Sequence, residues 1–230
     1  MTSRIVLLHS PLLGGLTWQA VAGELAARGR TVSTLSWPRL GSIDADFYRA
    51  LAVSMAEQLA GEPCILVLHS GAGALAPALE AAAAEIQGVI LADAILPHPG
   101  RSWFDTAPPE MATSLRAGAE FGLLPEWHKW WPPGALERLV PDAAQRTALL
   151  AELEPLPLQY FEEIAPLGTI TRPAAYLHLS GAYDEEARLA GRMGWPVVAL
   201  RLHHLAMLTH APAVATAIES LADRLEAGHG

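Results

Sequence analysis

The feature that most constrains the fold is a series of short, almost fully apolar runs that alternate with segments of helical periodicity. Strands with one solvent-exposed face alternate apolar and polar residues, whereas strands of a parallel sheet covered on both faces are apolar throughout. Strand and helix alternating along the chain are typical of that second architecture. The sequence therefore predicts an α/β fold with a mostly parallel sheet of about six strands and helices on both faces. The predicted strands are residues 5–9, 31–37, 64–69, 88–96, 174–179 and 197–202.

The composition changes between residues 97 and 173. This segment holds most of the 18 prolines and four of the seven tryptophans. It is too aromatic for a solvated linker and longer than an ordinary connection within a domain. We therefore interpret residues 1–96 and 174–230 as the core of one structural domain, and residues 97–173 as a helical cap, or lid, inserted into it.

Charge and cysteine content narrow the function classes. Lys and Arg number 15 against 24 Asp and Glu, a net charge of -9, and they form no basic cluster of the kind that binds nucleic acid. The apolar runs are shorter than the roughly 20 residues of a membrane span. The single Cys64 cannot form an internal disulfide, and the first strand begins at Ile5, too early for a signal peptide. We expect a cytoplasmic protein with neither nucleic acid nor membrane as a partner.

The strongest local motif is the run CILVLHSGAGALAP. A strand ends at His69, Ser70 follows, and the small residues from Gly71 onward lead into a helix. So tight a turn lifts the serine hydroxyl above the strand end and directs the Gly71 N–H at whatever the serine attacks. Such a turn can also hold phosphate, but no Lys or Arg is near and the glycine spacing fits neither phosphate-loop motif. We therefore predict that Ser70 is a nucleophile.

Two later segments supply an acid and a base in the order Ser, Asp, His. Asp184 lies just past a strand in LHLSGAYDEEAR, and His204 follows the last strand in LRLHHLAML. Because the carboxyl ends of parallel strands meet at one edge of the sheet, these side chains can converge on Ser70. Asp93, which ends its own strand, is the alternative acid, and His203 is the alternative base.

Taken together, these segments resemble the α/β-hydrolase superfamily over essentially the whole chain. IVLLHSPLLGGLTWQAVAGEL is similar to the oxyanion loop of that family, LHSGAG to its nucleophile elbow, SGAYD to its acid turn and HHLAML to its histidine loop. The resemblance implies Ser70 as nucleophile, His204 as base, Asp184 as the acid that orients the base, and the Gly71 N–H as an oxyanion donor. It implies no cofactor, and the remaining histidines show no metal-ligand spacing.

The oxyanion loop departs from the family pattern. Pro11 stands where the family takes its second oxyanion N–H, and proline has none. We predict that the Leu12 N–H is the second donor, because the glycines that follow let the loop turn that group inward. The Ser10 hydroxyl is the alternative, and a hole with a single backbone donor is a third possibility.

The aromatic residues of the 97–173 segment predict an apolar lid. We expect an apolar or aromatic part of the substrate to contact Pro11, Trp103, Trp127, Trp130 and Trp131. The alternative is that these tryptophans fill the core between lid and sheet.

The predicted function is a cofactor-independent serine hydrolase that cleaves a small apolar or aromatic ester, thioester or lactone through an acyl-enzyme. Two other hypotheses stay open. Pro11 and the apolar lid also fit a lyase, cyclase or acyltransferase on the same scaffold. A ligand-binding, receptor-like protein would keep the fold and pocket without turnover.

Overall fold

The computed structural model describes residues 3–228. Its main sheet has six strands in the order β2-β1-β3-β4-β7-β8, every neighbouring pair is parallel, and a separate antiparallel pair joins β5 to β6. This confirms the predicted six-stranded parallel sheet. The strands are β1 (Arg4–Leu8), β2 (Val32–Leu35), β3 (Cys64–His69), β4 (Ile86–Ala92), β5 (Leu123–Leu124), β6 (Leu156–Pro157), β7 (Ala174–His178) and β8 (Val197–Ala199).

Helices surround the sheet and fill the segment between β4 and β7. They are α1 (Leu16–Ala27), α2 (Phe47–Leu59), α3 (Ala76–Ala82), α4 (Pro109–Ala117), α5 (Ala135–Leu139), α6 (Ala143–Ala151), α7 (Leu158–Glu162), α8 (Asp184–Arg192), α9 (Ala206–Thr209) and α10 (Ala211–Ala227). No helix within residues 3–228 combines the length and the apolar character needed to cross a bilayer.

The sheet separates two hydrophobic cores. Along β1, Ile5 and Leu7 join the core under α1 and α10, whereas Val6 and Leu8 join the core under α2 and α3. Successive strand residues point to opposite faces, and all four of these are fully buried. Because both faces are covered, the strands show the continuous apolar runs that the sequence displays.

Two carboxylates tie the 97–173 segment to the helices of the core. Glu163 accepts hydrogen bonds from the amides of Phe47 and Tyr48 at 2.7 and 3.1 Å, at the start of α2. Glu152 accepts from the Leu16 amide at 3.0 Å, at the start of α1. The first amides of a helix lack partners within the helix and carry positive potential, so both contacts are favourable. They fasten the segment to the amino-terminal ends of α1 and α2.

Candidate active site

Ser70 lies in a strained turn directly after β3. Its φ of 56° is in the left-handed region, which a residue other than glycine rarely adopts. Three residues later, a Cβ on Gly73 would lie 2.1 Å from the Ile95 carbonyl oxygen, so only glycine fits. The Ile95 amide in turn donates to the Ser70 carbonyl at 3.2 Å. The loop that follows β4 is thereby fastened to the turn that presents the Ser70 hydroxyl.

His204 connects Ser70 to a carboxylate. Its Nε2 lies 3.1 Å from Ser70 Oγ, and its Nδ1 lies 2.8 Å from Asp93 Oδ2. A carboxylate at Nδ1 fixes the proton there, which leaves Nε2 free to accept the proton of Ser70. The arrangement can therefore remove the proton from the serine hydroxyl as that oxygen attacks.

Asp93 is held by the residues that follow β7. The amides of Leu179 and Ser180 donate to Oδ1 at 2.8 and 2.9 Å, and the Ser180 hydroxyl donates to Oδ2 at 2.6 Å. Burial alone would raise the pKa of Asp93, but the hydrogen bonds from His204, Ser180 and the Leu179 amide outweigh it and hold that pKa below its ordinary value. The carboxylate is thus ionised, fully buried and oriented toward the His204 ring.

The structure corrects the predicted partner of His204. Asp184 was expected to accept from the His204 ring, but its carboxylate lies 2.9 Å from His178 Nε2 and its side chain is 73% exposed. The reason is the short turn at Gly181–Tyr183, which puts Tyr183 against His204 and places Asp184 as the first residue of α8. The alternative acid, Asp93, is the one hydrogen-bonded to His204.

The neighbouring histidines have other partners. His203, the alternative base, lies with its Nε2 2.8 Å from Thr209 Oγ1. His69 donates its Nε2–H to the His204 carbonyl oxygen at 3.1 Å, and burial holds its pKa well below the ordinary value. His69 is therefore a neutral brace behind His204. Within residues 3–228, no three His, Cys, Asp or Glu side chains are grouped to hold a metal ion.

Tyr183 is a residue at this site that the sequence did not single out. Its ring is stacked on the His204 ring, with centroids 5.0 Å apart and planes 12° apart, and the His69 ring also contacts His204, with centroids 4.5 Å apart. Its hydroxyl lies 3.3 Å from Ser70 Oγ. The available signal was an aromatic residue in a tight turn just past the carboxyl end of a strand.

The oxyanion loop differs from the expected arrangement. The Leu12 amide, predicted as the second donor, donates to Ser10 Oγ at 3.3 Å. Ser10 Oγ also lies 3.3 Å from the position a Cβ on Gly71 would take, so this buried hydroxyl adjoins the turn that carries Ser70. Because it accepts from Leu12, the Ser10 hydroxyl keeps its own proton for donation.

The four predicted tryptophans fall into different environments. The Trp127 ring lies 6.4 Å from the His204 ring, which brings the 97–173 segment to the edge of the sheet that carries Ser70 and His204. Trp103 and Trp130 pack on each other with centroids 6.0 Å apart, inside that segment. Trp131 contacts Trp127 at 6.0 Å and remains 44% exposed. Only Trp127 of this set has a ring contact with a triad residue among the described contacts.

Solved structures with the same fold cover nearly the whole chain. An extracellular α/β-hydrolase from a Paenibacillus species, described as a structural and functional homologue of tobacco salicylic acid binding protein 2, has 21% identity and a TM-score of 0.78, covering 95% of this chain and 98% of that one. A pyrethroid hydrolase from Sphingobium faniae has 20% identity and a TM-score of 0.71, with coverage of 97% and 98%. Tomato methylketone synthase I, bound to 2-tridecanone, has 17% identity and a TM-score of 0.72, with coverage of 98% and 99%.

No curated protein gives a significant match to this sequence. The family model of the alpha/beta hydrolase family, however, matches residues 5–217, from the start of β1 into α10. That range includes the Ser70 turn, Asp93 and the His204 loop. The chain belongs to the alpha/beta hydrolase family and is an α/β-hydrolase.

Proposed function

We propose that this protein is a cofactor-independent serine hydrolase that cleaves a carboxylic ester, thioester or lactone with an apolar portion. One observation carries the proposal. Ser70, His204 and Asp93 form an unbroken hydrogen-bonded chain, 3.1 Å from Ser70 Oγ to Nε2 and 2.8 Å from Nδ1 to Asp93 Oδ2. A serine activated in this way performs acyl transfer on many unrelated folds.

Each member of the chain has a role in the proposed reaction. Ser70 Oγ attacks the carbonyl carbon while its proton passes to His204 Nε2, and the Asp93 carboxylate stabilises the resulting imidazolium. The carbonyl oxygen becomes an oxyanion, which collapses as the bond to the leaving oxygen or sulfur breaks and His204 returns the proton to that atom. Water then attacks the acyl-enzyme with the same base, and Ser70 is regenerated.

The oxyanion is proposed to bind the Gly71 N–H and the Ser10 hydroxyl. Pro11 offers no N–H and the Leu12 amide already donates to Ser10, so the adjoining Ser10 hydroxyl replaces the missing backbone donor. One such donor contributes about 2.7–4 kcal/mol of transition-state stabilisation. With the Gly71 N–H and the Ser10 hydroxyl, the site has two oxyanion donors although neither Pro11 nor Leu12 offers a free backbone N–H.

We also propose residues 97–173 as the cap that selects the substrate. Trp127 brings an apolar face next to His204, and the interior of the segment is aromatic. A site of this kind excludes water and favours an apolar group on the substrate. The long-chain ketone 2-tridecanone bound to the similar methylketone synthase supports the same class of ligand.

The missing amide at Pro11 favours a second candidate. A lyase or cyclase that uses His204 and Asp93 for proton transfer, without a tetrahedral oxyanion, has less need of a full oxyanion hole. Turnover that survives Ser70→Ala would identify this chemistry, because it forms no acyl-enzyme.

A fluorophosphonate probe followed by ester hydrolysis tests the first candidate. We expect wild-type protein to be labelled at Ser70, as mapped by mass spectrometry, and to hydrolyse p-nitrophenyl esters faster as the acyl chain lengthens. Ser70→Ala should lose both properties. The matched control is Ser42→Ala, which removes an exposed hydroxyl whose partner is the Arg39 carbonyl. Folded wild-type protein that is never labelled contradicts the proposal.

A further inference from the structure

The Tyr183 hydroxyl lies next to Ser70 Oγ, the oxygen proposed to attack the substrate, but it has no role in the mechanism proposed above. It is 3.3 Å from Ser70 Oγ, which also lies 3.1 Å from His204 Nε2. The tyrosine ring is stacked on His204, so the position of the hydroxyl is set by the same contact that braces the base. Tyr183 ends the turn Gly181–Tyr183 that diverts Asp184 from His204.

Counting protons decides which oxygen donates. Nδ1 of His204 carries its proton toward Asp93, so Nε2 has only a lone pair to offer. Ser70 has one proton, and it donates that proton to Nε2. The hydrogen bond between the two hydroxyls must then run from the Tyr183 O–H to Ser70 Oγ.

Tyr183 keeps that proton under ordinary conditions. Burial raises the pKa of its hydroxyl above the usual value for tyrosine, because the charged phenolate is disfavoured away from water. The nearby Asp93 carboxylate acts in the same direction as burial. The group is thus a fixed neutral donor and does not compete with His204 as a base.

We propose that Tyr183 is a further catalytic residue, whose hydroxyl stabilises negative charge on Ser70 Oγ while the bond between that oxygen and the acyl carbon forms or breaks. This rests on the proposed serine hydrolase function. In acylation the Ser70 proton passes to His204 Nε2 as the Oγ–carbon bond forms. In deacylation that bond breaks, its electron pair returns to Oγ, and His204 gives Oγ a proton. Tyr183 donates a hydrogen bond throughout and loses no proton.

The size of the effect follows from the charge on the acceptor. Hydrogen bonds to charged groups are about twice as strong as those between neutral groups. The Tyr183 bond therefore strengthens as Oγ gains charge, which is the condition for an interaction that accelerates the reaction. Removing it is expected to slow attack by Ser70 by about tenfold to a hundredfold.

The test compares Tyr183→Phe with wild type in two reactions of Ser70. Phenylalanine keeps the ring on His204 and removes only the hydroxyl. We expect the second-order rate of fluorophosphonate labelling and kcat/KM for p-nitrophenyl esters to fall together by about tenfold or more. Tyr48→Phe is the matched control, because its hydroxyl lies 3.5 Å from His98 Nε2 and, within residues 3–228, forms no hydrogen bond with Ser70. Thermal unfolding of both variants checks that the fold is kept.

A pH profile separates this role from an indirect one. A donor to Ser70 Oγ lowers the plateau of kcat/KM and leaves the acid limb at the same pH, whereas a residue acting only through His204 shifts that limb. Labelling and hydrolysis by folded Tyr183→Phe within about twofold of wild type would overturn the inference. If wild type itself is not labelled, the serine hydrolase proposal fails first, so the two failures are distinguishable.

Discussion

Two aspartate–histidine pairs of almost equal length lie past the ends of neighbouring strands. Asp93 and His204 are 2.8 Å apart after β4 and β8, and Asp184 and His178 are 2.9 Å apart around the end of β7. The side chain of Asp93 is fully buried, whereas that of Asp184 is 73% exposed. Only the first of these histidines is hydrogen-bonded to Ser70 Oγ. Distance within the pair therefore does not separate the two aspartates; burial and a third partner do.

The surroundings of the two aspartates explain why only Asp93 is held in a fixed orientation toward its histidine. Charges attract far more strongly in a water-excluded site than at a surface. Asp93 also accepts hydrogen bonds from the backbone and side chain of the residues after β7, which fixes its orientation. Asp184 lies in the first turn of α8, where a carboxylate interacts favourably with the helix dipole. The segment SGAYD was expected to supply the carboxylate for His204. It supplies instead Ser180, whose amide and hydroxyl donate to Asp93.

The largest expected difference between the Asp93–His204 pair and the Asp184–His178 pair is in enzyme activity. Asp93→Asn should lower kcat for ester hydrolysis by about 10⁴-fold, because an amide at this place no longer holds the His204 tautomer or stabilises its positive charge. Asp184→Asn, the same change in the exposed pair, should stay within about twofold of wild type. Steady-state kinetics on a p-nitrophenyl ester measures both.

Near-UV circular dichroism is the control for that experiment, since both variants must retain native packing. The proposed role of Asp93 is contradicted if Asp184→Asn is the variant that loses activity while Asp93→Asn keeps it.

Stability gives the next largest contrast. Removing the charge of Asp93 leaves buried donors facing an amide, and leaving a buried hydrogen-bonding group unsatisfied costs about 1–3 kcal/mol. The exposed Asp184–His178 pair is screened by water and contributes about 0–1 kcal/mol. Urea unfolding of Asp93→Asn and Asp184→Asn at neutral pH measures the two free energies. Equal losses in the two variants would show that burial does not separate the pairs.

The smallest effect is the dependence of stability on pH. The pKa of Asp93 is lowered in the folded protein, so its contribution is complete above the unfolded value of about 3.9 and is lost as the pH falls through the folded value. The gap in unfolding free energy between wild type and Asp93→Asn should therefore narrow below about pH 4, by at most about 1.4 kcal/mol per pH unit.

Urea unfolding at a series of pH values measures this gap, with Asp184→Asn titrated alongside as the reference. A gap for Asp93→Asn that stays constant from about pH 5 to pH 3 would contradict the lowered pKa.

Most of the fold was predictable because its signals are local. The apolar runs located all six strands of the main sheet, with ends that differ from the observed ones by a few residues. The short pair β5–β6 and helix α7 were not predicted, since two-residue strands and a five-residue helix carry almost no periodicity. The composition of residues 97–173 predicted an inserted segment, but not how its side chains pack.

By itself, the sequence determined the strands of the parallel sheet, the turn that presents Ser70 and the histidine loop with His204, because each of these elements is encoded in one contiguous stretch. Only the tertiary structure showed which aspartate is hydrogen-bonded to His204 and that the Tyr183 hydroxyl lies beside Ser70 Oγ. Asp93 lies 111 positions before His204 and Tyr183 lies 113 positions after Ser70, so their contacts depend on how separate turns meet at one edge of the sheet. A three-residue turn after β7 directed Tyr183 inward and Asp184 outward, and no local pattern records that direction.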